Sequence, residues 1–388
     1  MNPERTHAIA ADTVFDGTAL HRGAAVIVRG SAIVGLVARR ELPATMPVHD
    51  LPEGAWLAPG FIDVQVNGGG DVLFNDAPTA QGIAAIAAAH RRFGTTALLP
   101  TLISDSPDKM RVASAAVTAA AGCSPEILGI HFEGPFLSRE RAGVHDPRVL
   151  RAPAAADLDV IAGRRGGVTL VTLAPECVPP GFIAALARAG VRVALGHSMA
   201  SYAETRAAIA DGLTGFTHLF NAMRPMASRE PGPIAAAIEE PRAFYGLIVD
   251  GEHVAPAMLR LALRGAGHAM LVTDAMPPVG GTGDGFRLAG RDIQLRDGRC
   301  ATADGTLAGS ALDMASAVRN AVSLLGLTLP AALRLAAAAP AAFLGLADRL
   351  GRLAPGYRAD IVALEPSAVR VLGTWVAGKP DGASGGSA

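Results

Sequence analysis

Two histidines, His197 in LGHS and His218 in GFTHLFNAM, stand 21 residues apart, each just past a short apolar run, Val191–Leu195 and Gly215–Thr217. An alanine-rich stretch between them, about Ser201–Ala210, reads as a helix closed by the turn Asp211-Gly212. Two parallel strands joined through one helix lie side by side, so both imidazoles leave the same edge of one sheet. There they can share one divalent ion, for which zinc and iron are the natural candidates. Glu133, in GIHFEGPFL ahead of the turn Gly134-Pro135, adds a carboxylate. Three such ligands leave a coordination position for water, the pattern of a catalytic rather than a structural site. Asp274 ends an apolar run in LVTDAMPP and is placed to act as general base beside an activated water, then as acid. Together these residue types describe a hydrolase.

Other polar residues fall at similar boundaries: Asp63, Gln65 and Asn67 in FIDVQVN, Glu176, and Asp250 with His253 in VDGEHV, the last two as candidate substrate contacts. Arg229, in a loop flanked by glycine and proline, is a candidate for an anionic group, since a guanidinium binds phosphate bidentately. His7, His21, His49, His90, His131 and His268 are read as structural or exposed. Neither GxxxxGK[ST] nor a GxGxxG after a first strand occurs, so nucleotide chemistry has no support.

The elements that must position these residues repeat as strand, loop and helix. Strands are expected near 61–66, 96–100, 126–132, 167–173, 191–195, 215–217, 244–249 and 269–273, with helices at Ala80–Phe93, Pro107–Ala121, Gly181–Ala189 and Ala255–Leu263. Eight alternations point to an α/β fold of the (β/α)8 barrel type, whose chemistry sits at the C-terminal strand ends. Period-2 runs before residue 57 and in Asp360–Leu364 and Ala368–Val376 predict a small β-sandwich domain built from both chain ends, residues 1–57 and 350–388, beside a barrel of 58–349. A glycine-rich segment, 279–310, reads as a β-hairpin insertion on the active-site face, followed by helices at about 311–325 and 331–345. The tail GKPDGASGGSA is expected to be disordered.

Composition limits the partners. Half of the 388 residues are hydrophobic, 18% are charged and the formal net charge is −1, so no basic field exists to bind nucleic acid. Three cysteines, Cys123, Cys177 and Cys300, lack CxxC spacing and imply neither disulfides nor a thiolate metal site. No signal-peptide pattern is visible, and the most apolar late helix, Ala331–Leu346, is interrupted by Arg334 and Pro340, so no membrane span and a cytoplasmic location are expected.

The run APGFIDVQVNGGG, with GIHFEGPFL, AGVH (142–145), LGHS, GFTHLFNAM, DGEH, LVTDAM and LAGS (307–310), resembles the N-acetylglucosamine-6-phosphate deacetylase family of the amidohydrolase superfamily, in order and over nearly the whole chain. The superfamily's first strand usually ends in H-x-H. Gln65 and Asn67 stand there instead, so the resemblance implies one metal ion per subunit, held by Glu133, His197 and His218, zinc before iron or another divalent ion. It implies Asp274 as the catalytic aspartate and His145 as the group that helps polarise the acetyl carbonyl. It further implies Asn221, Ala222 and His253 at the sugar phosphate, Val144 and Asp250 among the substrate-binding residues, Arg229 reaching across a homodimer to the phosphate, and Leu307, Ala308 and Gly309 as a loop closing over the substrate. The galactosamine epimer, another amidohydrolase substrate, or a non-catalytic binding protein are the rival expectations.

Overall fold

The computed structural model describes residues 6–163 and 166–381. Eight parallel strands form the centre: β1 (Phe61–Val66), β2 (Thr95–Ile103), β3 (Gly129–Glu133), β4 (Val168–Leu173), β5 (Arg192–Leu195), β6 (Gly215–Phe216), β7 (Phe244–Leu247) and β8 (His268–Leu271). They neighbour one another in sequence order. A parallel bridge between Val66 and Ala275 and a hydrogen bond from the Asp274 amide to the Gln65 carbonyl, 3.0 Å, bring the last strand back to the first. This is a (β/α)8 barrel, and the strands are buried on both faces, as runs such as FIDVQV and VTLVTL require. The closing contact joins the first strand-end amides to the last strand-end carboxylate.

A polar layer lies just below those ends. His131 sits two residues before Glu133 on β3 and therefore faces the same side. Its Nδ1 is 3.0 Å from the Val64 carbonyl and its Nε2 is 2.7 Å from Thr172 Oγ1, which reaches Thr217 Oγ1 at 2.6 Å. Burial pushes His131 down to about 4, so the ring is neutral and satisfied, a core histidine as its sequence context suggested.

Helix starts follow their capping chemistry. Ser201 accepts from the Glu204 amide while Glu204 reaches back to Ser201, opening Tyr202–Ala210. Ser106 caps Pro107–Cys123, with proline in the first turn. The single helix expected over 331–345 is instead two, Leu329–Ala336 and Ala338–Leu344, with Ala337 at φ −131° between them. Pro340 has no N–H to give the Ala336 carbonyl and its ring crowds it, so the helix breaks there.

Two compact units are distinguished, Val64–Ala89 with Leu98–Asp313, and Met1–Asp63 with His90–Ala97 and Met314–Ala388. In the second, strands from both chain ends share one mixed sheet: Ile361–Glu365 pairs with Trp56–Pro59, which neighbours Thr6–Phe15. Ile9, Val14, Val26, Leu57, Ile361 and Trp375 pack into its apolar core. The tail expected to be disordered begins with a strand, Lys379–Pro380, paired to Trp375–Val376, while 382–388 lie outside the described residues.

In the first unit the insertion is a three-stranded antiparallel sheet, Gly285–Leu288, Arg291–Arg296 and Arg299–Ala301, rather than a hairpin. Both connections, Ala289-Gly290 and Asp297-Gly298, place two residues at positive φ, the geometry that lets a two-residue turn return a twisted strand. Leu288, Ile293 and Cys300 pack with Val144, Met276 and Ala308.

Candidate active site

Glu133, His197 and His218 converge. Glu133 Oε1 lies 3.2 Å from His197 Nε2 and 3.0 Å from His218 Nε2, and the two imidazole nitrogens are 3.0 Å apart. All three side chains are buried. His197 Nδ1 donates to the Arg141 carbonyl at 2.7 Å, which leaves its Nε2 as a lone pair. Two imidazole nitrogens and a carboxylate oxygen at these distances repel unless a shared proton or a cation stands among them. Burial raises the Glu133 carboxyl, but hydrogen bonds from His197 and His218 outweigh it and hold the group well below the usual carboxylate range. Burial lowers His218, yet its hydrogen bond to Glu133 and that group's charge pull it up. The donor set thus fits a divalent cation, and the Arg141 carbonyl fixes the orientation of the His197 ring.

His197, His218 and Asp274 all have positive φ, 49°, 34° and 53°. Histidine and aspartate tolerate this region better than most residues, and here it turns the ends of β5, β6 and β8 inward. Asp274 is buried beside the triangle, where burial and then the Glu133 charge raise it to about 6. Gln65 Nε2 bridges the two carboxylates, 3.2 Å from Glu133 Oε1 and 3.1 Å from Asp274 Oδ1.

A cavity of about 360 Å³ opens over these groups. Of the sequence candidates it is lined by Asn67, Val144, His145, Asn221, Ala222, His253, Leu307 and Gly309. Asp250 does not line it; its carboxylate holds His253 Nδ1 at 2.5 Å and so aims that ring. Ala308 is fully buried among the insertion's apolar residues, while Gly309 (φ 57°) has no room for a Cβ, which would stand 2.7 Å from the Asp274 carbonyl. Arg229 is exposed and does not line the cavity. Glu176 is not in the cavity and accepts from Ser198 Oγ at 2.8 Å.

Several residues of the site were not singled out from the sequence. Ser104 Oγ lies 2.8 Å from His145 Nδ1 and 3.2 Å from the Glu133 carbonyl oxygen. The strand-end rule finds Ser104 once β2 is carried to Ile103 instead of residue 100. Glu140, Arg141 and Gly143 line the cavity from the loop after β3, whose irregular backbone has no periodicity to read, and Ile103 and Met276 add apolar walls. Burial, then the His197 charge, pushes His145 down to about 3, so its ring is neutral.

A model of the amidohydrolase family matches residues 56–383. This chain belongs to that family. A relative from Shewanella sp. (strain ANA-3), an N-acetylgalactosamine-6-phosphate deacetylase, is 43% identical over 87% of this chain and 86% of its own length. Among solved structures of amidohydrolases, N-acetylglucosamine-6-phosphate deacetylase from Pasteurella multocida superposes with a TM-score of 0.93 at 33% identity, covering 97% of this chain and 99% of that one. An aspartate-to-alanine mutant of the Mycobacterium smegmatis enzyme, in complex with N-acetyl-D-glucosamine-6-phosphate, does so with a TM-score of 0.89 at 37% identity, covering 97% and 99%. Amidohydrolases are metal-dependent hydrolases of carbon–nitrogen bonds, and Glu133, His197 and His218 form this member's candidate ligand cluster.

Proposed function

We propose that this amidohydrolase removes the N-acetyl group of N-acetylglucosamine 6-phosphate, giving acetate and glucosamine 6-phosphate in amino-sugar catabolism. The observation that carries the reading is one carboxylate, Asp274, tied through Gln65 to a buried Glu133–His197–His218 triangle under a cavity large enough for one sugar. The deacetylase relatives supply the substrate class.

A divalent ion held by the triangle, zinc first and iron or another second, supplies Lewis-acid activation of water and of the amide carbonyl when bound. Asp274 takes the proton of the attacking water and returns it to the amine nitrogen as the C–N bond breaks, because an unprotonated amine anion is not a viable leaving group. His145 polarises the acetyl oxygen. To do so its Nε2 must carry the proton, which the ring keeps when the Ser104 hydroxyl donates to Nδ1. Asn221, Ala222 and His253 form the sugar-phosphate wall with Val144, and Leu307–Gly309 cover it. Arg229 of a second copy completes the site in a homodimer, which accounts for its exposure in the isolated chain. No described helix is long and apolar enough to cross a membrane. Sugar phosphates do not cross bilayers unaided, so the reading places the reaction in the cytoplasm.

The galactosamine epimer is the second reading, favoured by the 43% identity to the Shewanella enzyme. Acetate release from both epimers, with metal content measured on the same sample, tests the proposal. Turnover of the glucosamine form with about one equivalent of metal, lost on chelation, is expected. Preference for the galactosamine form would move the substrate, and no turnover of either would overturn the reading.

A further inference from the structure

We infer that Arg141 is an anion receptor supplied by the same subunit, whose guanidinium meets the substrate phosphate at the cavity wall. The inference rests on the phosphorylated-sugar reading above and adds a residue to it.

Among the described residues lining the cavity, Arg141 is the one side chain with a permanent positive charge. Glu133, Glu140 and Asp274 line the same space, so a phosphate dianion entering it meets three carboxylates. One divalent ion at the reacting end offsets charge there, but the phosphate needs its own counter-charge in a partly enclosed cavity. Arg229 is exposed and outside the lining, and Arg224, which spends its Nε on the Met199 carbonyl at 2.7 Å, is also outside it.

Arg141 is held for this task. Its Nε donates to Met199 Sδ at 3.0 Å, and among the described residues its two terminal nitrogens have no partner and no carboxylate pairs with it. Those nitrogens are the fork that matches phosphate bidentately. Met199 belongs to the loop that pairs with the Asn221–Arg224 segment: the Ser198 amide donates to the Ala222 carbonyl at 3.0 Å, and the Arg224 amide to the Ser198 carbonyl at 2.9 Å. The guanidinium is therefore docked on the wall that carries Asn221 and Ala222. The main chain of the same residue orients a metal ligand through His197 Nδ1. Binding the anion and holding the ligand are thus joined in one short loop.

The test compares the wild-type holoenzyme with R141M and R141K. Calorimetric titration with inorganic phosphate and with glucosamine 6-phosphate is one readout. The ratio of kcat/KM for N-acetylglucosamine 6-phosphate to that for unphosphorylated N-acetylglucosamine is the other. R141M is expected to weaken both anions about 10- to 100-fold and to lower the ratio by a similar factor, with R141K between it and wild type because a point charge replaces a fork. Circular dichroism and metal content establish that each variant is folded, and R141K carries the test alone if R141M is not. Wild-type affinity for phosphate in both variants would overturn the assignment. If wild-type protein releases no acetate yet R141M loses phosphate binding, the deacetylase reading fails and the anion site stands.

Discussion

The side-chain amide of Asn67 donates to Asp274 Oδ1 at 2.6 Å. Gln65 donates to the same oxygen at 3.1 Å, so Oδ1 is saturated and Oδ2 is the oxygen left for a water in the cavity. The two amides stand where the family resemblance leads one to expect a histidine pair, and here both donate to Asp274. Asn67 also opposes the burial and the Glu133 charge that raise Asp274 to about 6.

The pH profile follows from that balance. A base must be ionised, so kcat/KM should rise with pH through about 6 and level off above it. At pH 5 it should stand roughly tenfold below its value at pH 8, since one pH unit below the pKa leaves about a tenth of the base ionised. Asn67→Ala removes a donor to the ionised form and should carry the acid limb to higher pH. A profile flat from pH 5 to 8 in wild type would remove Asp274 from the role of base.

Asp274→Asn should lower kcat by about 10²- to 10⁴-fold, the usual worth of a positioned acid–base group. The asparagine oxygen can still accept from Asn67, and position 274 is not one of the three clustered donors, so metal content should stay near wild type. Steady-state kinetics with elemental analysis of the same preparation checks both halves. Near-normal turnover, or loss of metal together with turnover, would each contradict the assignment.

Metal removal should lower thermal stability, because three acceptors are left facing one another. The size of the effect should depend on pH. Asp274, raised from 3.8 to about 6, contributes stability that is fully present below 3.8 and lost as pH rises through about 6. His218 is likewise raised and keeps its proton longer than a free imidazole. At pH 5 an ion competes with those protons, whereas at pH 8 it relieves unprotonated acceptors. The gain in Tm on adding zinc to the apo protein should therefore be larger at pH 8, and a larger gain at pH 5 would reverse the argument.

The barrel and the Glu133–His197–His218 cluster were legible because β-strand ends in a parallel barrel are marked by abrupt changes from apolar to polar residues, as at Leu195–His197 and Leu271–Asp274. The spacing of His197 and His218 translates into adjacency through one strand–helix unit, and their Nε2 atoms lie 3.0 Å apart. What escaped the sequence lies in segments without period. Arg141 reaches the cavity from an irregular loop, and Ser104 was hidden by ending its strand three residues early. The division of labour between Asp250 and His253 was equally unreadable, since only distances separate a substrate contact from the residue that aims it. The break at Ala337 was written in Pro340, although an alanine-rich context masked it.

Ser104 offers a sharper test than its absence from the sequence candidates suggests. Its hydroxyl, 2.8 Å from His145 Nδ1 and 3.2 Å from the Glu133 carbonyl, has one proton to give, and given to Nδ1 it keeps Nε2–H toward the acetyl oxygen. Ser104→Ala leaves the ring buried with Nδ1 unsatisfied, a loss of about 1–3 kcal/mol. If that orientation matters in the transition state, the loss appears in kcat, about 10- to 100-fold, with KM little changed. A purely structural role would lower Tm and leave kcat of the folded fraction intact. Measuring kcat, KM and Tm on one preparation of Ser104→Ala separates the two, and an unchanged kcat would show that His145 is oriented by its packing against His197, whose ring centroid lies 4.4 Å away, rather than by this hydroxyl.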